Sequence, residues 1–535
     1  MTRNEILIVS VLSFVLAVPF LNKPFHIDDT VVLQIAENII ESPGDPLGGK
    51  IDWLGHEETV WKVTTNPPLV SYYLAPFALV SGFSEIVLHF AFLPFYWLFG
   101  FAVFSLAKRF NKDPWFPFLF LVSSSAVLVS GNVMRDIPAA GLATAGIAGL
   151  VYGSDRNDWR LGCAGASLMG LSILAKYPLA MLVLPIGLYL MLRRKPCQVI
   201  WLLIPGAMVL LWCLFTALQY GMAHPLYLLL EKSSNSNIMW QDKFFSAVLI
   251  HGSALFLVPI LLWVGIRRRQ IGWVGGGILS ALGLVIWSMG FYDRPFDLEF
   301  SFWLGLGGVM LCMAFAGAGN FRSPDSVLLL SWLVIPLVFS VFFIPFQAVR
   351  HQLPVLVPLL LLVFRYLEES GIDGLRKGLA ALLVLQLGVA LLVHSADYEY
   401  AATYRDFAIR ASALTDELGG QVWYVGHWGW KYYADRAGFR QLHRDGPFPQ
   451  DGDILLWPAK VHTGDVFSKL RRIRDRLGLV ETMTYEANIP LRTMSGDVRA
   501  GFYAVIRQRI PYRFDWSSPL EVFRVYQVVP RNSVR

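Results

Sequence analysis

Two adjacent carboxylates, Asp28 and Asp29, stand just after His26, where the first long apolar run of the chain gives way to a polar segment. A carboxylate at such a boundary can act as general base toward an acceptor hydroxyl within hydrogen-bond reach. Two side by side can also split their pKa values or together favour a cation. The plainer alternative is that they cap a helix predicted over Thr30 to Ile40, since Asp at a helix start satisfies free N–H groups and suits the dipole. Arg135-Asp136, shortly before Pro138, offers a bidentate fork for a phosphate, or a mutual ion pair that closes a turn. Lys176, ahead of Tyr177 and Pro178, can bind phosphate or snorkel to a membrane boundary. Arg350-His351, ahead of Pro354, is a further cationic position with the same two readings. His26, His56 and His351 form no HxH or HExxH spacing, so a divalent cation is open but unsupported by ligand spacing; no metal ligand is assigned and no cofactor is required.

The elements that must position these groups are apolar helices. Of the 535 residues, 55% are hydrophobic and only 16% charged, against roughly 25% charged in soluble domains. That balance predicts a polytopic α-helical membrane protein. A net charge of +6 would point a soluble chain toward nucleic acid. Here the basic residues sit in short connectors such as Lys108 to Lys112, Arg193 to Lys195 and Arg267 to Arg269, and the excess of Lys and Arg in cytoplasmic loops accounts for them. The four cysteines (Cys163, Cys197, Cys213, Cys312) lie in or beside apolar runs without metal or disulfide spacing and fit buried packing residues. The opening stretch MTRNEILIVSVLSFVLAVPF is long for a signal-peptide core and lacks a small-residue cleavage site after it, which predicts a retained first span.

With the basic connectors placed inside, the apolar runs alternate consistently and give about thirteen spans. They include Ile6 to Leu21, Ser84 to Ala107, Trp115 to Gly131, Pro178 to Leu192, Val199 to Leu218, Phe244 to Ile266, Leu353 to Phe364 and Leu379 to Val393. The segment Asn22 to Pro68 then lies outside. It carries eight acids (Asp28, Asp29, Glu37, Glu41, Asp45, Asp52, Glu57, Glu58) against Lys23, Lys50 and Lys62, a density that hydrocarbon does not tolerate. The same alternation brings Arg135-Asp136, Lys176 and Arg350-His351 to the outer side. Residues 1–394 are thus predicted as a membrane domain that includes this outer loop.

From Ser395 onward no run is long and apolar enough to cross a bilayer. Residues 395–535 are predicted as a small C-terminal α/β domain on the extracytoplasmic side, with strands near Val422 to Val425, Ile454 to Trp457 and Val522 to Val529, and an Arg-rich helix near Phe467 to Leu477. The run Trp423, Tyr424, His427, Trp428, Trp430, Tyr432, Tyr433 suits either stacking on sugars or a strand packing down on a membrane surface.

Taken in order, these stretches resemble the GT-C fold glycosyltransferases that use polyprenyl-phosphate sugars, in particular the bacterial protein O-mannosyltransferase family (glycosyltransferase family 39) and the lipid A aminoarabinose transferases. The resemblance covers the membrane part end to end. It rests on Asp28-Asp29 after the first span, Asn66-Pro67-Pro68-Leu69 with Tyr72-Tyr73 behind it, Arg135-Asp136-Ile137-Pro138, Ala175-Lys176-Tyr177-Pro178 and Arg350-His351-Gln352-Leu353-Pro354. No single motif is specific; their order and sidedness are. The resemblance implies an inverting transfer of a sugar from a polyprenyl-phosphate donor to a lipid, glycan or protein acceptor on the outer face of the inner (plasma) membrane.

In that frame Asp28 matches the general base, with Asp29 in support, and Asp136 matches the second acid. Arg135, Lys176 and Arg350 hold the donor phosphate, and His26, Asn66, Tyr72 and His351 position acceptor or sugar. Two departures stand out. Asn66 occupies a place that is basic in several relatives, which makes Lys62 a substitute phosphate ligand, and Asp29 is one methylene shorter than the Glu often found there. The alternative class is a transporter or flippase for a lipid-linked sugar. Charges near mid-bilayer and an inverted repeat would mark one; in this chain the charges gather at span ends and no fixed-period repeat is evident. A receptor with an outer binding domain accounts for residues 395–535 but gives no reason for the clustered Asp28, Arg135 and Lys176.

Overall fold

A computed structural model of the chain describes residues 2–53, 55–232, 238–255, 257, 281–290 and 297–530. The connector Arg267 to Arg269, and most of the span predicted over Phe244 to Ile266 beyond the helix Trp240–Ala254, lie outside the described residues. Among the described residues, eight helices are long and apolar enough to cross a membrane: Arg3–Phe20, Glu85–Phe110, Asp136–Arg156, Pro196–Tyr220, Leu298–Gly317, Pro324–Phe343, Val349–Glu368 and Leu375–Thr415. Shorter apolar helices accompany them at Leu69–Ser81, Trp159–Ala175, Tyr177–Leu192 and Ala281–Gly290. The chain is a multi-pass helical membrane protein.

Two expected spans take another form. The stretch predicted as one crossing, Trp115 to Gly131, breaks into helices Trp115–Val122 and Ser125–Val129. The reason is local: the Ser124 hydroxyl accepts the Val127 N–H and starts a new helix there, the competition with helix continuation that Ser side chains offer. The last helix does not stop near Val393 but runs from Leu375 to Leu418. The cysteines also differ from expectation. All four are free, with Cys197 and Cys312 exposed and Cys163 and Cys213 half-buried, so none is a fully buried core residue, although Cys163 packs against the core's edge.

Close helix packing is set by small residues. In the antiparallel pair Asp136–Arg156 and Trp159–Ala175, a Cβ on Gly149 would stand 2.7 Å from the Gly165 Cα, and one on Gly153 2.7 Å from the Gly162 nitrogen. Backbones can approach this closely only where side chains are absent, the device that draws helices together in membranes.

After Leu418 the chain forms a five-stranded mixed sheet in the order Arg440–Gln441, Val422–Tyr424, Ile454–Pro458, Glu521–Val528, Leu477–Tyr485. The first two pairings are parallel, and Glu521–Val528 is antiparallel to both neighbours. Most of the aromatic run singled out in the sequence is core here, neither sugar platform nor membrane anchor: Trp423, Tyr424, Trp430 and Tyr433 are buried, and Phe407 stacks on Phe523 at 3.6 Å with Trp430 beside both. The acidic loop docks on this region. Its hairpin, Lys50–Asp52 with Glu57–Thr59, sets Asp52 2.7 Å from His443, and the Arg444 N–H donates to the Gly55 carbonyl.

Candidate active site

Asp28 occupies the N-cap position of helix Asp29–Glu41, yet its side chain makes no capping bond. Instead it accepts from Arg350 Nη2 at 2.5 Å. The preceding residue, Ile27, holds φ +50°. That conformation is costly for a β-branched side chain, on the order of 1–3 kcal/mol, and such outliers gather at functional sites. Asp29 points elsewhere: it is buried, and one oxygen accepts the His26 backbone N–H at 2.9 Å. The two adjacent acids therefore divide, one holding the turn and one facing the cationic residues.

Asp136 is the first residue of helix Asp136–Arg156, and Lys176 caps the C-terminal end of helix Trp159–Ala175. Each charge suits its helix dipole. Because the glycine-lined pair is antiparallel, the two ends meet, and Lys176 Nζ bonds Asp136 Oδ1. The other Asp136 oxygen lies 3.5 Å from Arg350 Nε. Arg350 thus bridges Asp28 and Asp136, and Lys176 closes the row. Arg135 faces the same carboxylates, with its Nη2 3.4 Å from the Thr64 hydroxyl. Burial draws its guanidinium down to about 10, opposed by Asp28 and Asp136, so it stays cationic at neutral pH.

Arg135, Lys176 and Arg350 face Asp28 and Asp136, with Asp29 on the His26 turn also within electrostatic reach of Arg350. Arg350 Nη1 and Arg135 Nε are buried without a hydrogen-bond partner among the described residues. Buried donors are nearly always satisfied, so such atoms call for an acceptor. Accessibility is graded along the row. The Asp28 side chain is 39% exposed, while those of Arg350 and Asp136 are 8% and 6% exposed. Asp28 is the open end and Asp136 the closed one.

The remaining sequence-predicted residues divide. His351 is within electrostatic reach of Lys176, Arg350 and Asp136, and its ring bonds the Phe346 carbonyl at 3.3 Å. Asn66 stands at the border, its carbonyl oxygen accepting the Tyr177 N–H at 3.3 Å. Lys62 lies exposed on the short helix Val60–Val63. Tyr72 sits away from the ionic row, its hydroxyl donating to the Pro43 carbonyl at 2.6 Å. His26 belongs to a second, buried network. Its Nε2 is 3.0 Å from Asp397 Oδ2, which also takes Lys23 at 2.5 Å and the Tyr503 hydroxyl at 2.7 Å. Burial lowers the affinity of the His26 ring for a proton, but Asp397 and the Asp29 carboxylate together raise its pKa.

Sequence reasoning missed this second network. Lys23, Asn132, Asp397, Thr493 and Tyr503 come from four distant stretches, and each alone reads as a solvated polar residue. The signal available was Asp397 itself, a carboxylate just past an apolar run. Tyr503 joins the two networks, because the Arg350 guanidinium lies over its ring at 5.5 Å. The C-terminal region also holds the backbone of the Arg350 turn: Val349 N–H donates to the Phe502 carbonyl at 3.1 Å, and Val505 N–H to the Gln347 carbonyl at 2.8 Å. Among the described residues, no three His, Cys, Asp or Glu side chains are grouped to hold a metal ion.

Fold and site together define a multi-pass helical membrane protein with a row of alternating charges at the ends of its helices, buried except at Asp28. No protein-family model and no curated protein matches the chain. Its structural neighbours include ArnT from Cupriavidus metallidurans bound to undecaprenyl phosphate, at 12% identity and a TM-score of 0.45 over 98% of this chain and 97% of that one. The same protein in its apo state matches at 12% identity and a TM-score of 0.44 over 98% of each chain.

Proposed function

We propose that this chain is a membrane glycosyltransferase that moves a sugar from a polyprenyl-phosphate donor to an acceptor on the outer face of the membrane, with inversion at the anomeric carbon. The supporting observation is the Arg350 bridge between Asp28 and Asp136, with the partnerless guanidinium nitrogens of Arg350 and Arg135 beside it. A donor phosphate entering the row takes up those donors and competes with Asp28 for Arg350. Asp28, the accessible end, is thereby released to face the acceptor. The acceptor O–H bond then breaks, with its proton passing to Asp28. The acceptor oxygen bonds the anomeric carbon, and the bond from that carbon to the phosphate oxygen breaks with its electron pair leaving on the phosphate. Arg350, Arg135 and Lys176 stabilise the charge that develops there. Asp136 keeps Arg350 and Lys176 oriented, His351 and Asn66 line the approach, and about thirteen crossings bring the row and the C-terminal domain to the extracytoplasmic side.

The test is transfer from a polyprenyl-phosphate sugar by purified protein, wild type against Asp28→Asn, which preserves shape and removes basicity. The expected loss is about 10²–10⁴-fold in rate. A substituted protein that transfers sugar at the wild-type rate refutes the base assignment. Lipid movement without transfer in either protein favours a flippase.

A further inference from the structure

The ionic row is built on membrane helices and their connectors, yet the ring beneath its central cation comes from the far end of the chain. Tyr503 is buried, and the Arg350 guanidinium lies over its ring at 5.5 Å. The backbone on both sides of Tyr503 is bonded to the turn that carries Arg350. Val349 N–H donates to the Phe502 carbonyl at 3.1 Å, and Val505 N–H donates to the Gln347 carbonyl at 2.8 Å. Phe502 N–H in turn donates to the Thr493 carbonyl at 2.8 Å, which ties this segment back into the C-terminal region.

The ring is fixed at its hydroxyl end as well. That hydroxyl donates to Asp397 Oδ2 at 2.7 Å and accepts from Asn132 Nδ2 at 2.6 Å, with His26 Nε2 at 3.2 Å. Asp397 also accepts from Lys23 and, at 2.8 Å, from the Thr493 hydroxyl, and the Asn132 side-chain oxygen accepts from Lys23 at 2.6 Å. All of these residues are buried. A buried ion pair adds little net stability, because lost hydration offsets the attraction. Its fixed geometry here has a definite consequence: it sets where one aromatic ring stands relative to Arg350.

Asp28 on Nη2, Asp136 on Nε and the Tyr503 ring orient the Arg350 guanidinium. A donor phosphate competes for Nη2 and so loosens the first of these. Asp136 holds one nitrogen at 3.5 Å, and a single long contact leaves the guanidinium plane free to turn. The ring face attracts the cation through its quadrupole, and it stays in place when Asp28 is displaced. We infer that Tyr503 is a positioning residue of the active site: it keeps the Arg350 fork turned toward the donor phosphate once Asp28 has been released, so that the C-terminal region completes the site. The inference rests on the reading of the ionic row as the donor phosphate site.

Two measurements on the full-length protein in neutral detergent test this: the affinity for undecaprenyl phosphate, which needs no turnover, and the donor KM and kcat of sugar transfer. Tyr503→Phe keeps the ring and is expected to hold affinity and KM within about threefold of wild type, whereas Tyr503→Leu weakens both by about tenfold or more. Tyr404→Phe removes a buried hydroxyl bonded to Tyr400 in the same region; it lowers Tm and leaves affinity and KM unchanged. A Tyr503→Leu protein that behaves in the same way makes Tyr503 merely structural and overturns the inference. Tyr503→Phe as weak as Tyr503→Leu assigns the effect to the hydroxyl network and also overturns it. If Tyr503→Leu does not fold, Tyr503→Phe is compared with a trifluorinated phenylalanine at position 503, a ring of similar shape whose face is depleted of electrons. Affinity then falls about threefold or more, and equal affinity overturns the inference. A wild type that binds undecaprenyl phosphate with this ring dependence but transfers no sugar removes the transferase reading and leaves the inference standing; a wild type that binds none removes both.

Discussion

Arg350 Nη2 stands 2.5 Å from Asp28 Oδ2, although 322 positions separate the two residues in the chain. The same guanidinium reaches Asp136 through Nε at 3.5 Å, so one planar group ties the first polar segment to a helix start in mid-chain. A lysine cannot do this, because an ammonium is a point charge without a fork. Arg350→Lys is therefore expected to cut transfer at least tenfold and raise the donor KM, while Arg350→Ala costs more. Steady-state kinetics with varied donor measure both; unchanged KM in the Lys variant contradicts the bridge.

Lys176 is the cation bonded to the closed end of the row. Removing it as Lys176→Met leaves Asp136 buried beside a single remaining partner. Breaking a buried pair costs about 3–5 kcal/mol, which thermal unfolding in detergent registers as a lowered Tm. Lys176→Met/Asp136→Asn removes both charges and recovers much of that stability, but it does not recover transfer. A double variant no more stable than the single one would show that the pair is not coupled.

The meeting of Asp136 with Lys176 depends on the glycine contact between their helices. Gly149→Leu places side-chain atoms where the Gly165 backbone lies 2.7 Å from a Cβ. Overpacking of this kind costs about 1–3 kcal/mol, and it forces the helix ends apart. Both Tm and activity should fall, whereas Gly206→Leu, with open space around its Cβ, changes neither.

Glu521 gives a pH signature in the C-terminal region. Its carboxyl is buried, and burial lifts its pKa from 4.5 to about 7, against the Val522 and Lys460 N–H groups that bond it. The folded state then holds the proton more tightly than the unfolded state. Stability from this group is full below the unfolded value of 4.5 and is lost as pH rises through about 7, on the order of 3 kcal/mol in all. Glu521→Gln should flatten the Tm-against-pH curve across that window, and a curve that stays parallel to wild type rules the effect out.

Orientation is open to a direct check. The odd number of crossings expected from the sequence would put the residues after Leu418 outside, and a reporter that works only beyond the cytoplasm would then be active when fused after Arg535. Activity of a cytoplasm-only reporter at that point overturns the span count.

The sequence by itself determined the membrane class and the chemical cast. Apolar runs of span length can be read in one dimension because a helix in lipid satisfies its own backbone, and charges mark where it must leave. Asp28, Arg135, Asp136, Lys176 and Arg350 were visible for that reason: each interrupts an apolar pattern at its end. The strands near Val422, Ile454 and Val522 were also legible, from β-branched and aromatic runs between turns.

Tertiary structure decided which groups touch. That Asp28 faces Arg350 while Asp29 folds back on His26 follows from one residue, Ile27, at φ +50°, and no sequence pattern encodes that value. The Lys23–Asp397–Tyr503 network and the core burial of Trp430 arise between segments far apart in the chain. Local propensity carries no information about such partners, because the energy that selects them is paid and recovered only on packing.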